Sequence, residues 1–205
     1  MIIKTLAKSY LSKLKFILRL NPKVDTYKSS EKIEYIPEGY KAVVLISADF
    51  EMAWASRYSM NYLKPLEQTL ESGRLSRKNI PLILDLCDKY SIPVTWATVG
   101  HLFLKECKPE KGIRHPELKR LPHFQNTYWK FDSGDWFDFD PGTDYQTNPE
   151  WYAPDLIEAI LNAKTKHEIG CHTFSHIDCS DQNCPDEVFA SEITACQKAA
   201  NKWGI

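Results

Sequence analysis

Two short polar clusters in this chain carry residue types that could assemble a metal-assisted hydrolytic site. One is Asp49-Phe50-Glu51, after the apolar run Ala42-Val43-Val44-Leu45-Ile46; the other is His172-Thr173-Phe174-Ser175-His176, after His167-Glu168-Ile169-Gly170-Cys171. Two histidines four residues apart project from one face of a helical turn, a common spacing for holding one divalent ion, and a carboxylate oxygen suits zinc or a related ion as third ligand. Three protein ligands leave a position for water, whose pKa the ion lowers, and a second, unligated carboxylate can take the water's proton. In the pair Asp49 and Glu51, one acid can face the ion and the other the water.

Residues so far apart in sequence need strands to bring them together. In sheets of parallel strands, the C-terminal strand ends form the rim where distant side chains converge, and both clusters stand just past such an end. Residues 43–48 read as a strand buried on both faces, being apolar without alternation. Residues 76–90 carry Ile80, Leu82, Ile83, Leu86 and Cys87 near helical spacing, and residues 91–98 read as the next strand, with Pro93 near its start, where a missing N–H is tolerated. A helix over 153–166 with Pro154 in its first turn, a strand over 167–171 and a helix over 185–203 follow. The alternation predicts an α/β fold with parallel strands.

The connection over 109–152 is far longer than most strand-to-helix loops and is rich in rings and acids. Flat rings offer stacking faces to the C–H surface of a sugar and carboxylates bind its hydroxyls, which makes Trp136, Asp135 and Trp151 candidate substrate contacts. An equal alternative is that these rings cover the end of the fold.

The composition narrows the class. At 205 residues with 43% apolar content and 12% Trp, Tyr and Phe, the chain can bury one sizeable core. Lys and Arg number 26 against 27 Asp and Glu, so no basic field recruits nucleic acid, and none is expected as a partner. Six cysteines with no secretory signal read as reduced thiols, which points to the cytoplasm. The spacing Cys179-x4-Cys184 has no second matching pair and reads against a structural zinc site there. His101 reads as a helix-start histidine bonded to backbone; His115 and His123 carry no argued role.

Residues 1–39 form a separate segment. Leu6, Tyr10, Leu14, Ile17 and Leu18 fall near helical spacing with Lys4, Lys8, Lys13, Lys15 and Arg19 between them, so residues 1–20 read as a basic amphipathic helix. It either packs on the domain or lies peripherally on the inner face of an anionic membrane. A polar linker follows, and the domain proper spans 40–205.

The runs Val44-Leu45-Ile46-Ser47-Ala48-Asp49-Phe50-Glu51, Pro93-Val94-Thr95-Trp96-Ala97-Thr98-Val99-Gly100 and His167-Glu168-Ile169-Gly170-Cys171-His172-Thr173-Phe174-Ser175-His176 resemble the polysaccharide deacetylases of the NodB-homology, carbohydrate esterase 4 type. The resemblance runs from about residue 41 to the end, and the histidine motif with its preceding Glu-Ile-Gly is its specific part. It implies a distorted (β/α)7 barrel, Asp49 as general base, and Glu51, His172 and His176 as ligands of a divalent metal, zinc first, with cobalt or another divalent ion as alternatives. Many members have adjacent aspartates, whereas Phe50 here separates the two acids. The family's later Arg, Asp-Trp and general-acid histidine motifs have no counterpart before Lys202-Trp203-Gly204-Ile205, so the expectation is the N-terminal part of the barrel, with a second polypeptide as one way of completing it. The implied activity is hydrolytic removal of N-acetyl groups from an amino sugar of a cell-surface polysaccharide or its precursor. The alternatives are a non-catalytic glycan-binding or regulatory remnant and a deacylase of small non-sugar amides.

Overall fold

Short parallel strands carry the site, and local chemistry decides where each begins. The computed structural model describes residues 38–205, so the amphipathic helix and most of the linker expected over 1–39 lie outside the described residues. Leu45–Ile205 form one compact unit, which holds every element below.

Strand β1, Ser47–Phe50, pairs in parallel with β2, Thr95–Thr98, which pairs in parallel with β5, Glu168–Cys171. The sheet order β1-β2-β5 puts β2 in the middle, with Asp49 opposite Ala97 and Thr98 opposite Cys171. The α/β reading holds, while the described residues contribute three parallel strands rather than a closed barrel.

The strands start later than their apolar runs suggest. Helix α1, Pro65–Tyr90, ends at Ser91, whose φ of 54° is left-handed and whose N–H bonds the Cys87 carbonyl. Ser91 therefore belongs to the helix cap, and Pro93 has no N–H to offer a ladder. Pairing with β2 begins only at Ser47 opposite Thr95, just after Thr95 N–H meets the Ile46 carbonyl at 3.0 Å. Leu45 is consequently 90% exposed, against the expectation of a strand buried from residue 43.

Helix α1 also starts eleven residues before the expected Ser76, with Pro65 in its first turn. Its first buried positions are Thr69 and Gly73, which give no hydrophobic signal. A Cβ on Gly73 would stand 3.1 Å from Glu150 Cβ and 3.4 Å from Ala53 N, so the missing side chain lets the helix press on the 3-10 turn Met52–Trp54. Helix α2, Pro154–Asn162, buries Leu156, Ile157 and Ile160; helix α3, Asp186–Asn201, buries Val188, Glu192, Cys196 and Ala199 along one stripe.

The long connection folds around its own rings. A hairpin of β3, Phe124–Gln125, and β4, Lys130–Phe131, turns where Asn126 Oδ1 accepts the N–H groups of Tyr128 and Trp129. It docks on the segment after β1 through Lys130 N–H to the Tyr58 carbonyl and Met60 N–H to the Tyr128 carbonyl. Trp136, Phe137, Trp151 and Tyr152 fill the core with Trp54, whose ring meets Trp151 edge-on at 5.2 Å. Among the described residues no helix is long and apolar enough to cross a membrane.

Candidate metal centre

At the C-terminal rim of this sheet, β1 delivers Asp49 and, two residues on, Glu51, while the chain leaving β5 delivers His172 and His176. Glu51 Oε1 lies 2.9 Å from His172 Nε2 and 3.2 Å from His176 Nε2, and the imidazoles stack with centroids 5.1 Å apart. These side chains are between 15% and 30% exposed, so the cluster sits in the wall of the molecule with solvent access. Asp49 is exposed, and its charge adds to the larger effect of Glu51 in raising the His172 imidazole.

The two histidines converge for a reason other than the helical turn their spacing predicts. Residues 172–176 form a non-helical turn with Thr173 at φ 58° and His176 at φ 55°. A β-branched residue there is a backbone outlier worth about 1–3 kcal/mol of strain, which persists only if the surroundings over-determine it. They do. His172 N–H continues the β2 ladder to the Thr98 carbonyl at 3.0 Å, and the carbonyls of Thr173 and Phe174 accept from Gly100 and His101 N–H at 2.8 and 2.9 Å. Glu192 Oε2 accepts the N–H groups of Phe174 and Ser175 at 2.9 and 2.7 Å, and its Oε1 accepts the Ser175 hydroxyl at 2.8 Å. The Ser175 carbonyl accepts from Arg57 Nη2 at 2.8 Å and from Trp136 Nε1 at 3.1 Å.

Buried charge reinforces this clamp. Burial pushes the Glu192 carboxyl up, against the hydrogen bonds from Ser175 and Phe174 that favour its ionised form. Arg57, 2% exposed, lies over the rings of Trp54 and Trp136 at 4.7 and 4.4 Å, and burial lowers its guanidinium to about 10, leaving it charged at neutral pH. Helix α3 comes close enough to deliver Glu192 because Gly100 has no side chain: a Cβ there would meet Cys196 Cα at 2.8 Å.

The electrostatics of the rim follow from these contacts. Burial raises the Glu51 carboxyl, but hydrogen bonds from His172 and His176 outweigh it and hold the pKa at about 2. Its hydrogen bond to Glu51 raises His172, against desolvation. Without an ion, one carboxylate oxygen thus serves two imidazole Nε2 atoms, and His176 Nδ1 is buried with no partner. The donor set fits a divalent cation. Two imidazole nitrogens and one carboxylate oxygen within 4.8 Å of one another are the ligand types and number of an open zinc-type site.

The substrate-contact expectations fare differently. Trp136 and Trp151 are 1% and 3% exposed and face the core, so neither offers a free ring to a ligand. Tyr58 stacks on Trp136 at 4.7 Å, and Trp54 covers Trp151. Asp135 pairs with Arg120 Nε at 2.7 Å and accepts the Phe137 N–H, which gives it a structural post within its own turn. The ring that does reach the rim is half-buried Trp129, 5.4 Å from His176 and stacked on Trp136.

Sequence reasoning passed over Glu192 and Arg57. A glutamate on the apolar stripe of α3, four residues from Val188 and from Cys196, was the available signal for the first. Arg57 gave none, since its burial depends on the Ser175 carbonyl 118 residues away.

The family profile for polysaccharide deacetylase matches residues 64–204, more than half of the chain. The chain belongs to the polysaccharide deacetylase family. The match takes in β2, β5 and the histidine turn of this NodB-type domain; Asp49 and Glu51 precede it and are tied to the site by the contacts given above. Comparison with curated proteins finds no significant match, and comparison with solved structures finds none. Membership makes a hydrolase of carbon–nitrogen bonds acting on polysaccharide the class to which this domain belongs.

Proposed function

We propose that this domain is a metal-dependent deacetylase that hydrolyses the N-acetyl group of an amino sugar in a cell-surface polysaccharide or its precursor. The observation that carries the reading is the single Glu51 oxygen set between two imidazole Nε2 atoms, beside a free acid, Asp49, on the same strand end. Glu51, His172 and His176 would hold a divalent ion, zinc by donor type; bound there, it would supply Lewis acidity toward an amide oxygen and lower the pKa of a water.

The chain's own residues do the rest. Asp49, exposed and outside the ligand set, accepts the proton of the attacking water as a new C–O bond forms at the acetyl carbon. Protonated Asp49 then carries a proton that the departing amine nitrogen can take as the C–N bond breaks, so acetate and free amine leave. Glu51 stays ionised throughout the neutral range, since its imidazole contacts hold it at about 2. The Glu192 clamp holds the backbone between the two imidazoles, and Trp129 offers the ring beside the reacting centre, in the role first assigned to Trp136 and Trp151.

The test is a paired substitution with acetate release from an N-acetylated oligosaccharide as readout. Asp49→Asn is expected to keep its metal and lose roughly 10²–10⁴-fold in turnover, the usual worth of a general base, whereas Glu51→Gln is expected to lose metal affinity. Full metal content in Glu51→Gln with metal lost from Asp49→Asn would exchange the two roles. Metal-replete wild-type chain that releases no acetate from any N-acetylated saccharide would overturn the activity.

A further inference from the structure

Among the described residues, a second group of metal-type donors lies away from the rim. His101, Cys107, His115 and Asp140 each bring one donor atom within 4.8 Å of the others. The ring of His101 is fully buried, Asp140 is 1% exposed and His115 8%. Asp140 Oδ2 is the centre: His115 Nε2 lies 2.9 Å from it, His101 Nε2 3.2 Å and Cys107 Sγ 3.3 Å.

Protons alone serve this arrangement badly. The Trp151 carbonyl, 3.1 Å from His101 Nδ1, can only accept, so Nδ1 carries hydrogen. In the neutral ring, Nε2 then aims a lone pair at a carboxylate oxygen that also has only lone pairs to offer. That oxygen has room for about two good hydrogen bonds, yet three potential ligands crowd it. A cation among the four donors serves all of them at once.

The surroundings resemble those of a metal-bound carboxylate and imidazole. Oδ1, the other oxygen of Asp140, is occupied by the Gly142 N–H at 2.9 Å and the Tyr152 hydroxyl at 3.3 Å, which leaves Oδ2 to face the two imidazoles and the thiol. A ligating histidine usually donates its second nitrogen to a carbonyl, as His101 does to Trp151. A doubly charged ion, one thiolate, one carboxylate and two neutral imidazoles sum to zero, the balance that a buried position demands.

We propose that His101, Cys107, His115 and Asp140 form a closed, structural zinc site. The mixed nitrogen, sulfur and oxygen set selects zinc over calcium or magnesium, and four protein donors leave no open position for substrate. The ion ties the 3-10 turn Gly100–Phe103 to Cys107 and to two points of the long connection before α2, His115 and Asp140. His101 also donates its backbone N–H to Phe174, in the histidine turn, so this site braces the rim from behind. The site is independent of the ligands at the rim, and its test keeps the two apart.

The full chain, purified without chelator and loaded with cobalt(II) in place of zinc, is expected to show a thiolate-to-cobalt charge-transfer band in the near ultraviolet. Cys107→Ser is expected to remove that band and His176→Ala to keep it. A wild-type protein without the band, or a band that survives Cys107→Ser, would overturn the proposal. A second measurement needs no variant: peptide mapping of iodoacetamide labelling is expected to find Cys107 at least about tenfold slower to react in zinc-loaded protein than after chelation, because metal ligation occupies the thiolate. Equal labelling of Cys107 in both states would overturn it if Cys107→Ser fails to fold.

Discussion

The two donor clusters use the same chemistry to opposite ends. At the rim, Glu51, His172 and His176 supply three donors, are partly open to solvent and have a spare acid beside them. Behind it, His101, Cys107, His115 and Asp140 supply four donors, three of them buried and Cys107 half-buried. An open coordination side is what a reaction needs, and a filled one is what a brace needs. The distinction lies in what surrounds the donors. The rim donors come from strand ends and a strained turn, whereas the closed donors come from a 3-10 turn, Cys107 just after it, and the long connection that has wrapped its own rings into the core.

The comparison predicts that stripping metal has two stages. A mild chelator is expected to remove the rim ion first, abolishing turnover with little change in melting temperature. A stronger one reaches the closed site, and loss of that ion is expected to cost about 4 kcal/mol, or about 10 °C for a domain of this size. Calorimetry alongside metal analysis checks it. A single stage in which turnover and stability fall together would mean that the two clusters are not distinct in kind.

A smaller effect sharpens the link between them. Glu192→Ala leaves the Phe174 and Ser175 N–H groups and the Ser175 hydroxyl without their acceptor, at about 1–3 kcal/mol for each buried group left unsatisfied. Metal affinity at the rim is expected to fall about 10–100-fold, as for other changes behind metal ligands, while the Cys107 cobalt band persists. Unchanged rim affinity in a folded Glu192→Ala protein would show that the turn holds itself.

The dependence on pH separates the clusters more gently. In the metal-free chain, His172 is raised by Glu51 while Glu51 is lowered to about 2. Their pair stabilises the fold below the ordinary imidazole range, loses that contribution as pH rises through the raised pKa of His172, and loses it again as pH falls toward 2. Metal at the rim needs neutral imidazole, so zinc binding there is expected to release a proton and to weaken as pH falls through the same pKa. Thermal melts across pH with and without zinc check the sign, and rim binding that strengthens on acidification would contradict it.

Much of the rim was legible in the sequence because short-range patterns encode it. The apolar runs of β1 and β5 lead into Asp49-Phe50-Glu51 and His172, with Asp49 and Phe50 in the last two positions of β1, and a parallel sheet is enough to make those ends neighbours. The path between His172 and His176 was not legible. Four-residue spacing suggests a helical turn, and only the distant Glu192, Arg57 and β2 contacts impose the left-handed backbone instead. The roles of Trp136 and Trp151 were hidden for a related reason: a ring in a loop has the same residue type whether it faces a ligand or fills a core. The start of α1 was masked because Thr69 and Gly73 are buried without being hydrophobic. His101 does bond backbone as its position suggests, but its second nitrogen meets Asp140, 39 residues on, which no local spacing announces.

The most direct test of the open-site account is an anomalous-difference map at the zinc edge from crystals of the zinc-loaded chain. The account predicts a peak bounded by Glu51 Oε1, His172 Nε2 and His176 Nε2, with its fourth side open toward Asp49. No peak at that position, or an ion there closed on all sides by protein donors, would contradict it.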